Sequence, residues 1–386
     1  MKKNKFTNNQ WMKAGIKNKS KPGKKLDLGK LDLSKDPGEV DVTLNAEKPK
    51  KKEKEKEEKK KKRKAFWSDA DSLWSCDTVN KVEAWLLTGN STFQELALKS
   101  AARKKLPPDL WGALEALVTA KGATSEPILL DPGIQLSAFH QLHESFEAVS
   151  RVRDDIEFAL VTIIDGQFET SNHHTLLDIY NMKGSSRRIL SRMSSNYFAH
   201  VDLALFNSHK HPRGGRLISP HVHAIIWGND VVSKAFAIAK TLQVTIKPNA
   251  TGATPIDVKS VGKDSVNLAR MAAYLLKSPE KCKTFYPGKD GVAGNMHHSR
   301  KSDRLIRYLR LAEIRSMLTF KDMTFASGEG LAVRSGIAKT LTQFSQEQAR
   351  KADRRFHPAE IPSFWNELKL TMGTTRFNLP IIKRTK

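Results

Sequence analysis

The run "LISPHVHAIIWG" at residues 217–228 constrains this chain more than any other stretch. It is rich in β-branched and aromatic residues and closes on Gly228, which predicts a β-strand. Its "AIIW" segment is apolar at consecutive positions, so burial is expected on both faces. Yet His221 and His223 stand two apart within it. Side chains alternate across a strand, so both imidazoles project from one face. Two imidazoles side by side make a pair of metal ligands. A second His-x-His, His209 and His211, falls in the Pro/Gly-rich segment "NSHKHPRGGR". A loop fixes side chains less well than a strand does, so His221 and His223 are the preferred pair.

The surrounding pattern is one of strands and helices in alternation. "FALVTIID" (158–165) and "YFAHVDLALF" (197–206) read as further strands, and "QVTIKP" and "PIDVKSV" as two short ones. "HTLLDIYNMKGSSRRILSRM" reads as a helix interrupted near Gly184, and "DVVSKAFAIAKTL" as a helix capped by Asn229 or Asp230. "DSVNLARMAAYLLKSP" is a helix expected to start near Asp264 and stop at Pro279. This order predicts an α+β sandwich with a mainly antiparallel sheet over residues 149–285. Residues 65–148 read as a small helical accessory region, in which Gly89 is expected to stop "DSLWSCDTVNKVEAWLLTG". Residues 286–386 read as helical and basic. There "SRKSDRLIRYLRLAEIRSML" carries Arg300, Lys301, Arg304, Arg307, Arg310 and Arg315 beside an apolar stripe of Leu305, Ile306, Leu309 and Leu311.

The charge balance names a class of partner. The chain has 66 Lys+Arg against 41 Asp+Glu, a formal net charge of +25. Such a surplus points to a polyanion, first of all nucleic acid. Residues 1–64 alone hold 23 Lys+Arg against 10 Asp+Glu. That segment is too polar to fold alone and reads as a disordered basic tail tethering the protein to DNA. Two cysteines, Cys76 and Cys282, are too few for a disulfide framework or a Cys-rich zinc module, and they fit a reducing compartment. No apolar run of about 18 residues predicts a membrane span, and "MKKNKFTNNQ" lacks the apolar core of a secretory signal, so a cytoplasmic location is expected.

Two further features carry chemistry. On the 264–279 helix, Asn267, Arg270, Tyr274 and Lys277 fall along one stripe, while Leu268, Ala272, Leu275 and Leu276 form much of the apolar one. Tyr274 therefore sits among cations, where a phosphate can bind. A free tyrosine ionises near pH ~10, so a nucleophilic role needs such neighbours or a base. Asp202 is a carboxylate in an apolar strand, costly there unless paired or bound to a metal. If its strand runs antiparallel to 217–228, Asp202 faces the two histidines; His200, on the same side, competes for that place. Taken singly, each feature has an ordinary explanation: hydrogen-bonded core histidines, a surface tyrosine, an acid at a strand edge.

Taken in order, "FALVTI", "YFAHVDLALF", "SPHVHAIIWG" and "AAYLLKSP" resemble the HUH endonucleases, most closely the single-tyrosine rolling-circle replication initiators of plasmids and phages. The resemblance covers residues 155–285; Asp202 stands where that family more usually has Glu. It implies a central antiparallel sheet of about five strands flanked by helices, with His221 and His223 on the central strand. It implies Mg²⁺ or Mn²⁺ held by His221, His223 and Asp202. Tyr274 would attack single-stranded DNA at a replication origin, giving a 5′-phosphotyrosine and a free 3′-OH, with Lys277 orienting the phosphate. Arg270, Arg300, Lys301 and Arg304 would contact the DNA backbone. No "GxxxxGK[ST]" occurs, so a separate helicase and the replication machinery of a bacterial host are implied partners. A transposase or a mobilisation relaxase shares this chemistry; a non-catalytic basic DNA-binding protein is the alternative from another class.

Overall fold

Every residue of Arg216–Gly228 is buried except Arg216, His221 and Gly228, which are half-buried. A strand so enclosed needs neighbours on both edges and cover on both faces. In the computed structural model it has both. The structure describes residues 72–119, 124–208, 216–250, 252–278, 282–285, 296–299, 306–352, 355–374 and 378–384. The 1–64 tail, His209, His211, Arg300, Lys301 and Arg304 lie outside them.

This strand, β5, pairs antiparallel with β1 (Glu157–Ile163) on one edge and β4 (Asn196–Ser208) on the other. Strand β6 (Ile256–Val261) extends the sheet beyond β1, and short β9 (Thr324–Ser327) pairs with β4, both antiparallel. Strand β2 (Thr170–Ser171) lies against the start of β5. The antiparallel rule breaks once: β7 (Cys282–Phe285) adds to β4 in parallel, and β8 (Met296–Ser299) then pairs with β7. The sheet is thus α+β and mostly antiparallel, in the order β6-β1-β5-β4-β7-β8. A separate two-stranded ribbon joins β3 (Leu176–Asp178) to β10 (Ile381–Lys383).

Helices α4 (Ile179–Met193) and α5 (Val231–Leu242) cover one face. The other face, which bears His221 and His223, is covered by α3 (Pro132–Val152) and α6 (Ser265–Leu276). Phe146 of α3 meets Trp227 of β5 edge-on at 6.1 Å, and Phe158 of β1 lies 6.4 Å from the same indole. Such aromatic contacts add to area burial and pin the helix to the sheet. Behind α3 and α6 lie α1 (Val79–Ala102), α2 (Pro108–Thr119) and α7 (Ile306–Ser316). The remaining α-helices among the described residues are α8 (Phe320–Met323), α9 (Glu329–Lys351) and α10 (Ile361–Thr371).

Residues 69–386 form one compact unit with a continuous core running from Leu73 to Met372. The boundary read at 148/149 falls inside α3 and the one read at 285/286 falls at the end of β7, both within this one unit. Several local expectations are corrected. Helix α1 runs through Gly89, which is buried, because tertiary packing outweighs the glycine's unfavourable helix propensity of about 1 kcal/mol. Helix α4 likewise continues through Gly184. "QVTIKP" is no strand: Gln243–Thr245 is a 3-10 turn off α5, with Val244 82% exposed and so without the burial a strand face needs. Asp230 precedes α5 but its side chain caps nothing; Glu157 accepts the Val232 N–H instead, at 3.0 Å. Residues 286–386 are not helical alone, since they supply β8, β9 and β10. No described helix is long and apolar enough to cross a membrane.

Candidate metal centre

The β4–β5 register sets Asp202 opposite His221 and His200 opposite His223. Alternation then puts all four on one face of the sheet. Asp202, His221 and His223 each offer a ligand atom, and these atoms lie within 4.8 Å of one another. Oδ2 of Asp202 is 3.5 Å from Nε2 of His221 and 3.6 Å from Nε2 of His223. One carboxylate oxygen and two imidazole nitrogens make a donor set that can hold a divalent metal ion.

Neighbouring groups fix which ring nitrogen points into the site. Nδ1 of His221 is 3.2 Å from the Ser219 carbonyl oxygen. A carbonyl only accepts, so that nitrogen carries the proton and Nε2 presents its lone pair. For His223 the argument runs from the other side. The Lys277 ammonium only donates, and it lies 3.0 Å from Nε2, so Nε2 is the acceptor. Nδ1 of His223 then donates to Oγ1 of Thr162, at 3.0 Å. Both rings therefore aim Nε2 lone pairs at Asp202, the orienting arrangement that metal-ligating histidines use. Oδ1 of Asp202 accepts the Leu203 N–H at 2.8 Å, which turns Oδ2 toward the rings.

Charge states suit ligation as well. Burial pushes His223 well below the usual imidazole range, and the Lys277 ammonium adds to the effect. Burial alone would raise Asp202. The Lys277 ammonium outweighs it and holds the carboxyl well below the ordinary carboxylate range. The result is an anionic carboxylate beside a neutral imidazole, the protonation state a metal ion requires. His200 does not join the cluster. Both its nitrogens lack a hydrogen-bond partner among the described residues, and burial lowers its pKa to about 3. The group that could hold a metal ion thus includes Asp202 and not His200.

Helix α6, N-capped by Asp264, brings the phenol to this group. The ring of Tyr274 lies 4.6 Å from that of His223, centroid to centroid. Lys277 follows the last helical residue in an extended conformation (ψ 143°), so its side chain leaves the helix and crosses the Tyr274 ring, with Nζ 4.1 Å from the centroid. The same Nζ donates to Oδ2 of Asp202 at 2.7 Å. The next residue anchors the turn: Oγ of Ser278 donates to Oδ1 of Asn90 on α1 at 2.6 Å and accepts from Gln135 on α3 at 3.4 Å. Thr162, Asn90, Gln135 and Ser278 are supporting residues that sequence reasoning missed. Only Thr162, a polar residue in an apolar run, left any sign.

The sequence-predicted cationic residues fare differently. Arg270 spends its guanidinium on the Cys76 carbonyl oxygen, at 3.0 and 2.6 Å, and on Asn267 at 2.8 Å. Arg307, Arg310 and Arg315, which lie in the region read as basic and helical, are buried. Arg310 pairs with Glu313 and bonds Thr175, Glu313 also takes Lys369, and Arg315 bonds the Leu129 carbonyl. The charge of Arg310 is thus paired inside the protein, as burial demands. No family model, no curated protein and no solved structure matches the chain.

Proposed function

We propose that this protein is a metal-dependent endonuclease and strand transferase for single-stranded DNA, with Tyr274 as its nucleophile, and that its biological role is rolling-circle replication initiation. One observation carries the reading: the phenol ring of Tyr274 packs against a ring of the Asp202–His221–His223 group and against the Lys277 cation. The sheet order supports the resemblance to HUH endonucleases, with the His-x-His strand between β1 and β4 and the tyrosine helix packed across it.

The donor set of two nitrogens and one oxygen suits Mn²⁺ well, while Mg²⁺ prefers oxygen. Bound there, the ion would polarise the scissile phosphate and offset the charge that builds on its oxygens. The rest falls to the chain. Tyr274 attacks phosphorus, the phenol gives up its proton, and the P–O3′ bond breaks to leave a 5′-phosphotyrosine and a 3′-OH. Lys277, a compact cation on a flexible stem, orients the phosphate beside the phenol. Attack by a 3′-OH reverses the step and rejoins strands. The net charge of +25 supplies the salt-dependent hold on the backbone. Unwinding of a duplex falls to a separate helicase.

The test is covalent capture. Wild-type protein with Mn²⁺ and a single-stranded oligonucleotide should give an adduct stable on a denaturing gel, with the modified peptide containing Tyr274 by mass spectrometry. Tyr274→Phe should give none. An adduct that survives Tyr274→Phe moves the nucleophile elsewhere, and no adduct in the wild type leaves a basic DNA-binding protein.

A further inference from the structure

Trp74 is 44% exposed, and its indole lies 5.9 Å from the Tyr274 ring at an interplanar angle of 41°. It belongs to a 3-10 turn, Leu73–Ser75, ahead of α1. That turn is held on several sides. Leu73 is buried in the core. Oγ of Ser72 accepts the Trp74 N–H at 3.3 Å, and Oγ of Ser75 donates to the Ser72 carbonyl at 2.7 Å. Two guanidinium nitrogens of Arg270, on the tyrosine helix itself, hold the Cys76 carbonyl. An apolar ring this exposed gains little for folding. Fixed rigidly beside a candidate nucleophile, it is preorganised to receive a flat, apolar partner.

We propose that Trp74 is a nucleobase platform: it stacks one base of single-stranded DNA within a nucleotide of the phosphate that Tyr274 attacks. This rests on the reading of Tyr274 as acting on single-stranded DNA. The chemistry follows from the pieces present. Every base has a π face, so an indole accepts any of them and positions the strand without reading its sequence. Bases in a duplex stack on one another and leave no face for an indole, so the platform favours single strands. The cation over the phenol ring, Lys277, takes the phosphate next door. Arg270, expected to touch phosphate, here builds the platform instead. The accessory region thereby gains a role: it carries half of the substrate cradle, which is why its first turn is bonded to the helix of Tyr274.

The experiment uses the full chain and a fluorescently labelled oligothymidine, with binding followed by anisotropy at fixed salt. Trp74→Ala should weaken binding roughly five- to hundredfold, the range that alanine substitution of a base-stacking aromatic gives. Trp74→Phe should recover most of it. Trp74→Leu, which keeps an apolar contact with Tyr274 but has no π face, should bind as poorly as Trp74→Ala. Mn²⁺ affinity and melting temperature should stay as in the wild type for all three. Equal binding by Trp74→Ala and wild type overturns the proposal, as does a Trp74→Leu variant that binds like Trp74→Phe. The covalent assay separates the two readings. Adduct formation with Trp74→Ala binding like wild type removes the platform and keeps the nuclease. Loss of affinity in Trp74→Ala with no wild-type adduct removes the nuclease and keeps the platform.

Discussion

Nζ of Lys277 lies 3.0 Å from Nε2 of His223, and that nitrogen has a single lone pair. The ammonium and a metal ion therefore cannot both use it. Metal binding there would require Lys277 to release His223, and the lysine Nζ also donates to Oδ2 of Asp202 at 2.7 Å. An ion held there would be coupled to Lys277 through two of the three residues that could ligate it.

The first prediction follows directly. Lys277→Met removes the competing donor and the like charge, so Mn²⁺ affinity should rise about tenfold, roughly 1.4 kcal/mol. Strand cleavage should fall at the same time, because the phosphate loses its cation. Calorimetry on the full chain reads the first effect and the gel assay the second. Unchanged or weaker Mn²⁺ binding would break the coupling argument.

Thr162 holds the His223 ring by its Nδ1 proton. Thr162→Val keeps the shape and removes the acceptor. Loss of such an orienting bond weakens metal binding about 10- to 100-fold. Mn²⁺ titration should show that loss while the thermal transition moves little; unaltered affinity would mean packing alone orients the ring.

The Asn90–Ser278 bond is buried. Asn90→Ala leaves a hydroxyl without its acceptor, at a cost of about 1–3 kcal/mol. Urea unfolding measures that. Because Ser278 adjoins Lys277, adduct formation should drop by more than Mn²⁺ affinity does. Equal drops would place Asn90 in the scaffold only.

His200 gives a pH signature. Burial, first of all, lowers its pKa to about 3, from the 6.5 of an ordinary imidazole. A lowered imidazole binds fewer protons folded than unfolded, so stability is whole above about pH 6.5 and falls as pH drops toward 3, by up to about 1.36 kcal/mol per pH unit. His200→Leu should flatten the stability–pH slope by one proton in that window. Denaturant midpoints at several pH values test this, and an unchanged slope would show that His200 is protonated at no cost.

Removing residues 1–64 should lower DNA affinity and reduce the slope of log affinity against log salt, since that segment holds 23 of the 66 Lys+Arg. Arg310→Ala should leave the slope alone and cost stability, because its guanidinium is bonded to Glu313 and Thr175 inside the core. A slope that moves with Arg310 instead would mean that helix faces DNA.

The sequence by itself determined the strands read at 158–165, 197–206 and 217–228, the first of which ends two residues earlier, at Ile163, the helix carrying Tyr274, and the pairing of two imidazoles on one face. Those follow from local periodicity: alternation fixes which way a strand residue points, and a Gly, Pro or capping Asp fixes where an element ends. Asp202 was legible as an anomaly, an acid among apolar neighbours, but its choice over His200 needed the β4–β5 register and the distances across it. Only the tertiary structure decided that Thr162 and Ser219 set the tautomers, that Asn90 and Gln135 hold the turn after Lys277, and that Trp74 meets Tyr274 across 200 residues of chain. It also buried three arginines of a basic helix and set Arg310 against Thr175 and Arg315 against the Leu129 carbonyl, partners that no local pattern announces. The physical reason is the same each time. Propensity and periodicity act over a few residues, whereas a buried donor must find its acceptor wherever packing brings one.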